Sequence, residues 1–279
     1  MFKYLSLFRP HQWIKNLLIL FPPLFGGTIA SADVILRIFP ALAAFSLAAS
    51  CSYIINDIWD AEADRNHVSK KNRLIAQREI AIPVAGLLAF LLFTLSFSLS
   101  ALVSNLFWLY LAAYLAISLS YTFFLKNVVI VDVFLISAGF LVRVLSGGEA
   151  FGIEVSKWLF MTVFMVSLFL AAGKRAGEMI SMGKDAVIHR KSLSAYSSSF
   201  LEGTLWFSAS ASLVTYALYT IEERGELFYT VPLAAFGMLR YIFIVKEGKG
   251  DPTDALLKDW QIMFTGVIWL VVIGFIIYR

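Results

Sequence analysis

Residues 56 to 65 read Asn56-Asp57-Ile58-Trp59-Asp60-Ala61-Glu62-Ala63-Asp64-Arg65. If the apolar run before them continues as a helix, successive side chains turn by about 100°. Asn56, Asp57, Asp60 and Asp64 then share an arc of about 100°, while Trp59 and Glu62 point elsewhere. Three like charges on one stripe repel one another, so something cationic must compensate them. Hard oxygen donors favour Mg²⁺, which usually combines one or two carboxylates with substrate phosphates and water. The plainer alternative is a helix end solvated by acids. An acidic stripe at the exit of a membrane segment has no topological purpose, which favours a metal site at Asp57, Asp60 and Asp64. Nothing has the spacing of an EF-hand calcium loop.

Directly downstream stand His67, Lys70, Lys71, Arg73 and Arg78. Taken singly they read as an anchor on anionic lipid. Beside an acidic metal stripe, they suit a polyphosphate group. A second cluster reads Gly173-Lys174-Arg175-Ala176-Gly177-Glu178. An i,i+4 ion pair between Lys174 and Glu178 is the plain account. The sharper one is phosphate contact by Lys174 and Arg175, Arg in a two-pronged geometry and Lys as a point charge. Asp132 and Arg143 lie in an apolar segment and face the same side, about 20° apart after whole turns. Intramembrane ionisable groups are functional candidates. These two fit an interior cavity or structural pairs with neighbouring helices equally well. Arg240, near the end of its segment, is expected to snorkel.

The elements that carry these groups follow from composition. Of the 279 residues 59% are hydrophobic and 15% are charged, against about 25% charged for soluble domains. An ordinary soluble enzyme and a disordered chain are both excluded. The single cysteine, Cys51, excludes a disulfide scaffold and reads as a small packing residue. Net charge is +4, but the basic residues fall between apolar segments rather than on one face. Nucleic acid is therefore not an expected partner. Apolar runs of spanning length are expected near 17–36, 40–57, 82–103, 106–124, 128–147, 157–172, 200–220, 227–245 and 260–278. Pro22, Pro23 and Pro40 blur the first two, and Gly147-Gly148 separates the fifth from the sixth. With the N-terminus in the cytoplasm, most of the 23 basic residues fall inside, including Lys184, Arg190 and Lys191. The outside keeps Arg37, Lys157, Arg224 and Arg279, as the positive-inside rule requires of an odd number of spans. Residues 15–32 imitate a signal peptide, but Pro22-Pro23 interrupts its apolar run and the basic lead is long. The expectation is one all-α domain over 1–279 with nine transmembrane helices. It would lie in the inner (plasma) membrane, with the C-terminus outside and the active site facing the cytoplasm.

With those residues in place, the chain resembles the UbiA superfamily of intramembrane prenyltransferases, whose hallmark is N-D-x-x-D-x-x-x-D after the second of nine helices. Within it, the chain is most similar to the decaprenyl-phosphate phosphoribosyltransferase branch. That likeness rests on Arg9-Pro10-x-Gln12-Trp13-x-Lys15-Asn16, Asp64-Arg65-x-His67-x-Ser69-Lys70, and Tyr121 with Leu125-Lys126. Gly139-Phe140-Leu141-x-Arg143 with Gly147-Gly148, and Gly173-Lys174-Arg175, complete it. The C-terminal third matches in hydropathy alone. The second Asp-rich motif usual in the superfamily is replaced by Lys174, Arg175 and Glu178. The usual Arg-Pro-[Ile/Leu]-Ala-x-Gly stretch is Arg73-Leu74-Ile75-Ala76-Gln77-Arg78, which leaves the shape of that loop open.

The resemblance implies transfer of 5-phosphoribosyl from phosphoribosyl pyrophosphate to a polyprenyl phosphate in the bilayer, with Mg²⁺ as cofactor and pyrophosphate released. It implies Mg²⁺ on Asp57, Asp60 and Asp64, and a ligand or the ribose oriented by Asn56. Phosphates would meet Arg65, Lys70, Arg73, Lys174 and Arg175, and the lipid phosphate Lys15 and Lys126. Tyr121, Arg143 and Glu178 complete the expected substrate-binding set. Three rivals stay open: prenyl transfer from a prenyl diphosphate to an aromatic or other acceptor, a transporter or channel, and a non-catalytic lipid-binding scaffold. Dense charge at one face, rather than at the midplane, weighs against transport. A homo-oligomer also stays open.

Overall fold

The computed structural model describes residues 2–65, 70–182 and 195–279, and every regular element among them is helical. His67, Ser69, Lys184, Arg190 and Lys191 lie outside the described residues. Among the described residues, seven helices are long and apolar enough to cross a membrane. The chain divides into two compact units, Met1–Lys126 with Val142–Glu154 and Asn127–Leu141 with Val155–Arg279.

The first unit is built on α1, Ala32–Trp59. Ser31 starts it by accepting a hydrogen bond from the Val34 amide, as an N-cap does. Its 28 residues run straight through Pro40. The expected spans 17–36 and 40–57 are therefore redrawn. Residues before α1 form a 3₁₀ helix, Pro10–Leu20, and a short helix, Phe21–Phe25. The break falls instead at Gly27, whose φ of 71° suits glycine. Ala41, Ala44 and Ala48 keep one face of α1 small and fully buried, so neighbouring helices approach closely. α2 (Ile82–Ser100) and α3 (Phe107–Ser120) pack on α1. Phe45, Phe107, Leu111 and Ile19 fill the core between them.

α4 (Val131–Phe151) belongs to the second unit in its first half and to the first unit in its second. The Gly147-Gly148 pair, read as a separator, lies inside this helix. Gly147 is there for close packing: a Cβ on it would collide with the Ile19 backbone. The turn comes later, at Gly152, φ 66°.

In the second unit α5 runs from Lys157 to Met182, about 39 Å at 1.5 Å per residue. That exceeds a hydrocarbon core of roughly 30 Å. The Gly173-Lys174-Arg175 segment, which the expected span 157–172 leaves outside the helix, lies within it. α6 (Ser198–Glu223) packs along α5. A 3₁₀ turn, Gly225–Thr230, leads into α7 (Val231–Lys246); a short helix, Pro252–Lys258, precedes α8 (Trp260–Tyr278). α6 has the length of a span but is not among the seven apolar helices. Gly173 and Gly177 let the end of α5 sit tightly against this unit. A Cβ on Gly173 would meet the Tyr241 ring at 2.5 Å, and one on Gly177 would collide with the Gly250 backbone.

Candidate active site

The acidic stripe forms where α1 ends. Backbone bonds from Asp60 N to Asn56 O (2.9 Å) and from Asp64 N to Asp60 O (2.8 Å) carry the helical register past Trp59. A one-turn helix, Ala61–Arg65, completes the motif. Asp57 and Asp64 are buried, and the Asp60 side chain keeps 20% of its surface. Burying carboxylates requires partners, and each has one. Arg9 Nη2 lies 2.5 Å from Asp57 Oδ1. Arg73 Nη1 lies 3.0 Å from Asp57 Oδ1 and 2.6 Å from Asp64 Oδ2. Lys126 pairs with Asp60. The Arg9, Arg73 and Lys126 side chains stay 22–23% exposed. Burial draws the Arg9 guanidinium below its ordinary pKa, and the Asp57 charge opposes that shift.

Two local features bring these cations in. Residues Tyr121–Leu125 form a π turn at the end of α3, closed by a bond from Lys126 N to Tyr121 O (3.0 Å). The extra residue rephases the chain, as π turns near functional sites often do. Thr122 Oγ1 then donates to Asn56 Oδ1 at 3.2 Å, and Lys126 reaches Asp60. Arg73 opens a hydrogen-bonded turn that buries Leu74, Ile75 and Ala76. Arg78 takes a left-handed φ of 61° there, at the position of the superfamily's usual glycine. The loop whose shape was open is a compact turn.

The remaining expected residues are placed as follows. Arg65 Nε donates to the Ala76 carbonyl at 3.2 Å, tying the motif to that turn. Lys70 begins a short 3₁₀ turn, Lys70–Asn72. Lys15 lies on the N-terminal 3₁₀ helix and Tyr121 opens the π turn. Arg143 is 4% exposed. Its Nε donates to Asn16 Oδ1 at 2.8 Å, and its guanidinium sits over the Tyr114 ring at 4.6 Å.

Asp132 belongs to a largely buried network in the second unit. Arg175 Nε donates to Asp132 Oδ2 at 3.0 Å, with both side chains essentially inaccessible. Arg175 Nη1 also holds Glu178 Oε2 at 2.9 Å. The Tyr196 hydroxyl donates to Asp132 Oδ1 at 2.6 Å and accepts from the Ile130 amide at 2.6 Å. Ile130 has φ 70°, a strained conformation for a β-branched residue. Burial, then the bond to Asp132, pushes the Tyr196 hydroxyl up to about 12. The expected Lys174–Glu178 pair is replaced: Lys174 holds Asp251 at 2.7 Å and Glu178 holds Arg175. A cavity of about 730 Å³ in this unit is lined by Lys174, Glu178, Arg240, Lys249, Asp251 and Asp259, among others.

The sequence reading missed Arg9, Thr122, Tyr196 and Asp251. Arg9 alone carried a usable signal: a carboxylate stripe demands counter-cations, and Arg9 stands in the same N-terminal motif as Lys15.

Among the described residues no three acidic or histidine side chains form a preassembled metal cage. The donor set still suits Mg²⁺, because one cationic nitrogen, Arg73 Nη1, already sits between two carboxylates. Two carboxylates with phosphate and water make an ordinary Mg²⁺ environment.

Fold and site together define a polytopic helical membrane protein with a cluster of paired charges at the end of a long apolar helix. A sequence profile described as the UbiA prenyltransferase family matches residues 19–277, and the chain belongs to that family. It is 36% identical to the decaprenyl-phosphate phosphoribosyltransferase of Mycolicibacterium smegmatis, over 97% of this chain and 91% of that protein. Proteins of the same name from Mycobacterium tuberculosis and Corynebacterium glutamicum are 34% and 33% identical, over 95% and 97% of this chain and 91% and 85% of theirs. Among solved structures, a UbiA homolog from Archaeoglobus fulgidus bound to GPP and Mg²⁺ superposes with a TM-score of 0.77. It covers 99% of both chains at 21% identity, a likeness of fold.

Proposed function

We propose that this chain transfers 5-phosphoribosyl from phosphoribosyl pyrophosphate to a polyprenyl phosphate and releases pyrophosphate. The observation that carries the reading is the cation held between Asp57 and Asp64 beside two further cations, Arg9 and Lys126. Such a site binds a metal–diphosphate group and keeps positive charge around it. The named relatives support the phosphoribosyl donor over a prenyl diphosphate. So does the replacement of a second acidic motif by Lys174, Arg175 and Glu178.

In this reading Asp57 and Asp64, with Asp60 beside them, hold Mg²⁺. Bound there, Mg²⁺ would neutralise charge on the leaving diphosphate. Asn56, fixed by Thr122, orients the ribose or a diphosphate oxygen. Arg73, Lys70 and Arg65 hold phosphate oxygens, while Lys126, Lys15 and Tyr121 place the lipid phosphate. That phosphate is already anionic and needs no general base. Its oxygen forms a bond to the anomeric carbon as the bond from that carbon to the pyrophosphate oxygen breaks. The positive charge that develops on the ribose is stabilised by nearby carboxylates.

Nine membrane-crossing elements over residues 1–279 complete this proposal, counting α6 and the N-terminal segment beside the seven apolar helices. They form a single catalytic domain in the plasma membrane with the N-terminus and stripe at the cytoplasmic face. Arg175 and Arg143, both sealed, act as anchors of the fold rather than as phosphate ligands. The test supplies purified protein with Mg²⁺, labelled phosphoribosyl pyrophosphate and a polyprenyl phosphate, and follows label into the lipid phase. Mg²⁺-dependent transfer supports the reading. Transfer only from a prenyl diphosphate donor contradicts it.

A further inference from the structure

The sequence assigns Arg9 no individual role, yet the N-terminus is built around it. It takes φ 50°, ψ 57°, a left-handed conformation that is unusual for a non-glycine residue and is further disfavoured before proline. Strain of this kind persists where surrounding structure over-determines it, and it clusters at functional sites. Here the surrounding structure is the 3₁₀ helix Pro10–Leu20. At 11 residues it is far longer than the three or four usual for this helix type.

A period of three places Trp13, Asn16 and Ile19 on one face, and all three are fastened. Trp13 Nε1 donates to Ser50 Oγ at 3.0 Å. Asn16 Nδ2 donates to Ser46 Oγ at 3.0 Å and its Oδ1 accepts from Arg143. Ile19 is fully buried against Gly147. On α1 the partners Ser46, Ser50, Tyr53 and Asp57 recur at the four-three-four spacing of one helical face. The strap therefore runs antiparallel along α1. It delivers Arg9 over the Tyr53 ring, 5.0 Å from its centroid, and onto Asp57.

As paired, three carboxylates face three cations and the cluster is close to neutral. A bare divalent ion gains little there. A metal that arrives with a diphosphate brings the anion on which displaced guanidinium groups can settle. We propose that Arg9 is a positioning residue that holds Asp57 as its resident counter-cation and yields it only to a metal arriving with the diphosphate, to which Arg9 then turns. This inference rests on the metal–diphosphate reading of the stripe above.

The test uses the full chain in detergent and two binding probes. One is Mn²⁺ alone, followed by its free-ion spin resonance signal. The other is radiolabelled inorganic pyrophosphate at saturating Mg²⁺. Arg9→Gln is expected to bind bare Mn²⁺ on the order of tenfold more tightly, because a unit charge a few Å away is removed. The same variant is expected to bind pyrophosphate on the order of tenfold more weakly. Arg9→Lys, which keeps the charge, is expected to restore both affinities to within about threefold. A residue that merely supports the fold would move both affinities in the same direction, or neither, and that result overturns the proposal. Asp57→Asn separates the two ideas. If pyrophosphate binds it as tightly as wild type, the metal–diphosphate reading itself fails. If it loses binding while Arg9→Gln leaves both affinities unchanged, the role of Arg9 alone fails.

Discussion

The stripe at the end of α1 and the network around Arg175 are both clusters of paired charge, and they differ in access. Around the stripe, the cations keep a fifth or more of their surface. Around Arg175, the guanidinium and Asp132 are 1% and 0% exposed. An ion pair that water can reach can exchange its cation for a metal or its anion for a phosphate. A sealed pair must first be opened to water or unfolded, and breaking it in place leaves an uncompensated buried charge. In the proposed function the two clusters divide the work: the first serves chemistry, and the second ties α4, α5 and the residues before α6 together.

Substitutions should separate the two regions by what they damage. Asp57→Asn is expected to lower phosphoribosyl transfer on the order of a thousandfold, with thermal unfolding in detergent close to wild type. Equal losses of activity and stability would erase the distinction. In the buried network, Arg175→Leu is expected to destabilise the protein by about 3–5 kcal/mol, because Asp132 is left buried without a counter-charge. Denaturant unfolding checks this, and Asp132→Asn added to it should recover part of the loss.

Tyr196→Phe is expected to cost less, about 1–3 kcal/mol, since it orphans the Ile130 amide and removes one bond to Asp132. Its pH dependence is more telling. The folded hydroxyl titrates near 12, above the unfolded value of about 10. The folded state thus holds its proton more tightly. The resulting stability is complete below about pH 10 and is lost as pH rises through the folded value. Unfolding curves of wild type and Tyr196→Phe should therefore converge between pH 10 and 12, and parallel curves would refute the shift. The smallest effect is expected from Lys126→Met, whose target Asp60 is part-exposed. The Michaelis constant for the donor or lipid phosphate should rise several-fold, with stability within about 1 kcal/mol.

The sequence exposed the first region far better than the second, for physical reasons. Asn56, Asp57, Asp60 and Asp64 lie within one local helical repeat, so their shared face follows from geometry alone. Most helices follow from apolar runs, and the structure bears out α2, α7 and α8 nearly as bounded. What sequence could not display is pairing over long separations: Arg9 with Asp57, Lys126 with Asp60, Asp132 with Arg175. The π turn at Tyr121–Leu125 and the long 3₁₀ strap leave no hydropathy signal. Gly147 is a turn former by type and a packing residue in place. Lys174 and Glu178 have an ideal local spacing, but Asp251 and Arg175 offered each a better-placed partner.

The most direct test of the central claim is transfer of labelled phosphoribosyl into the lipid phase, run with wild type, Asp57→Asn and Arg175→Leu at matched amounts of folded protein. The account predicts Mg²⁺-dependent transfer by wild type and near-complete loss in Asp57→Asn. Per folded molecule, Arg175→Leu should retain transfer within about tenfold of wild type. Full transfer by Asp57→Asn, or abolished transfer by folded Arg175→Leu, would contradict it.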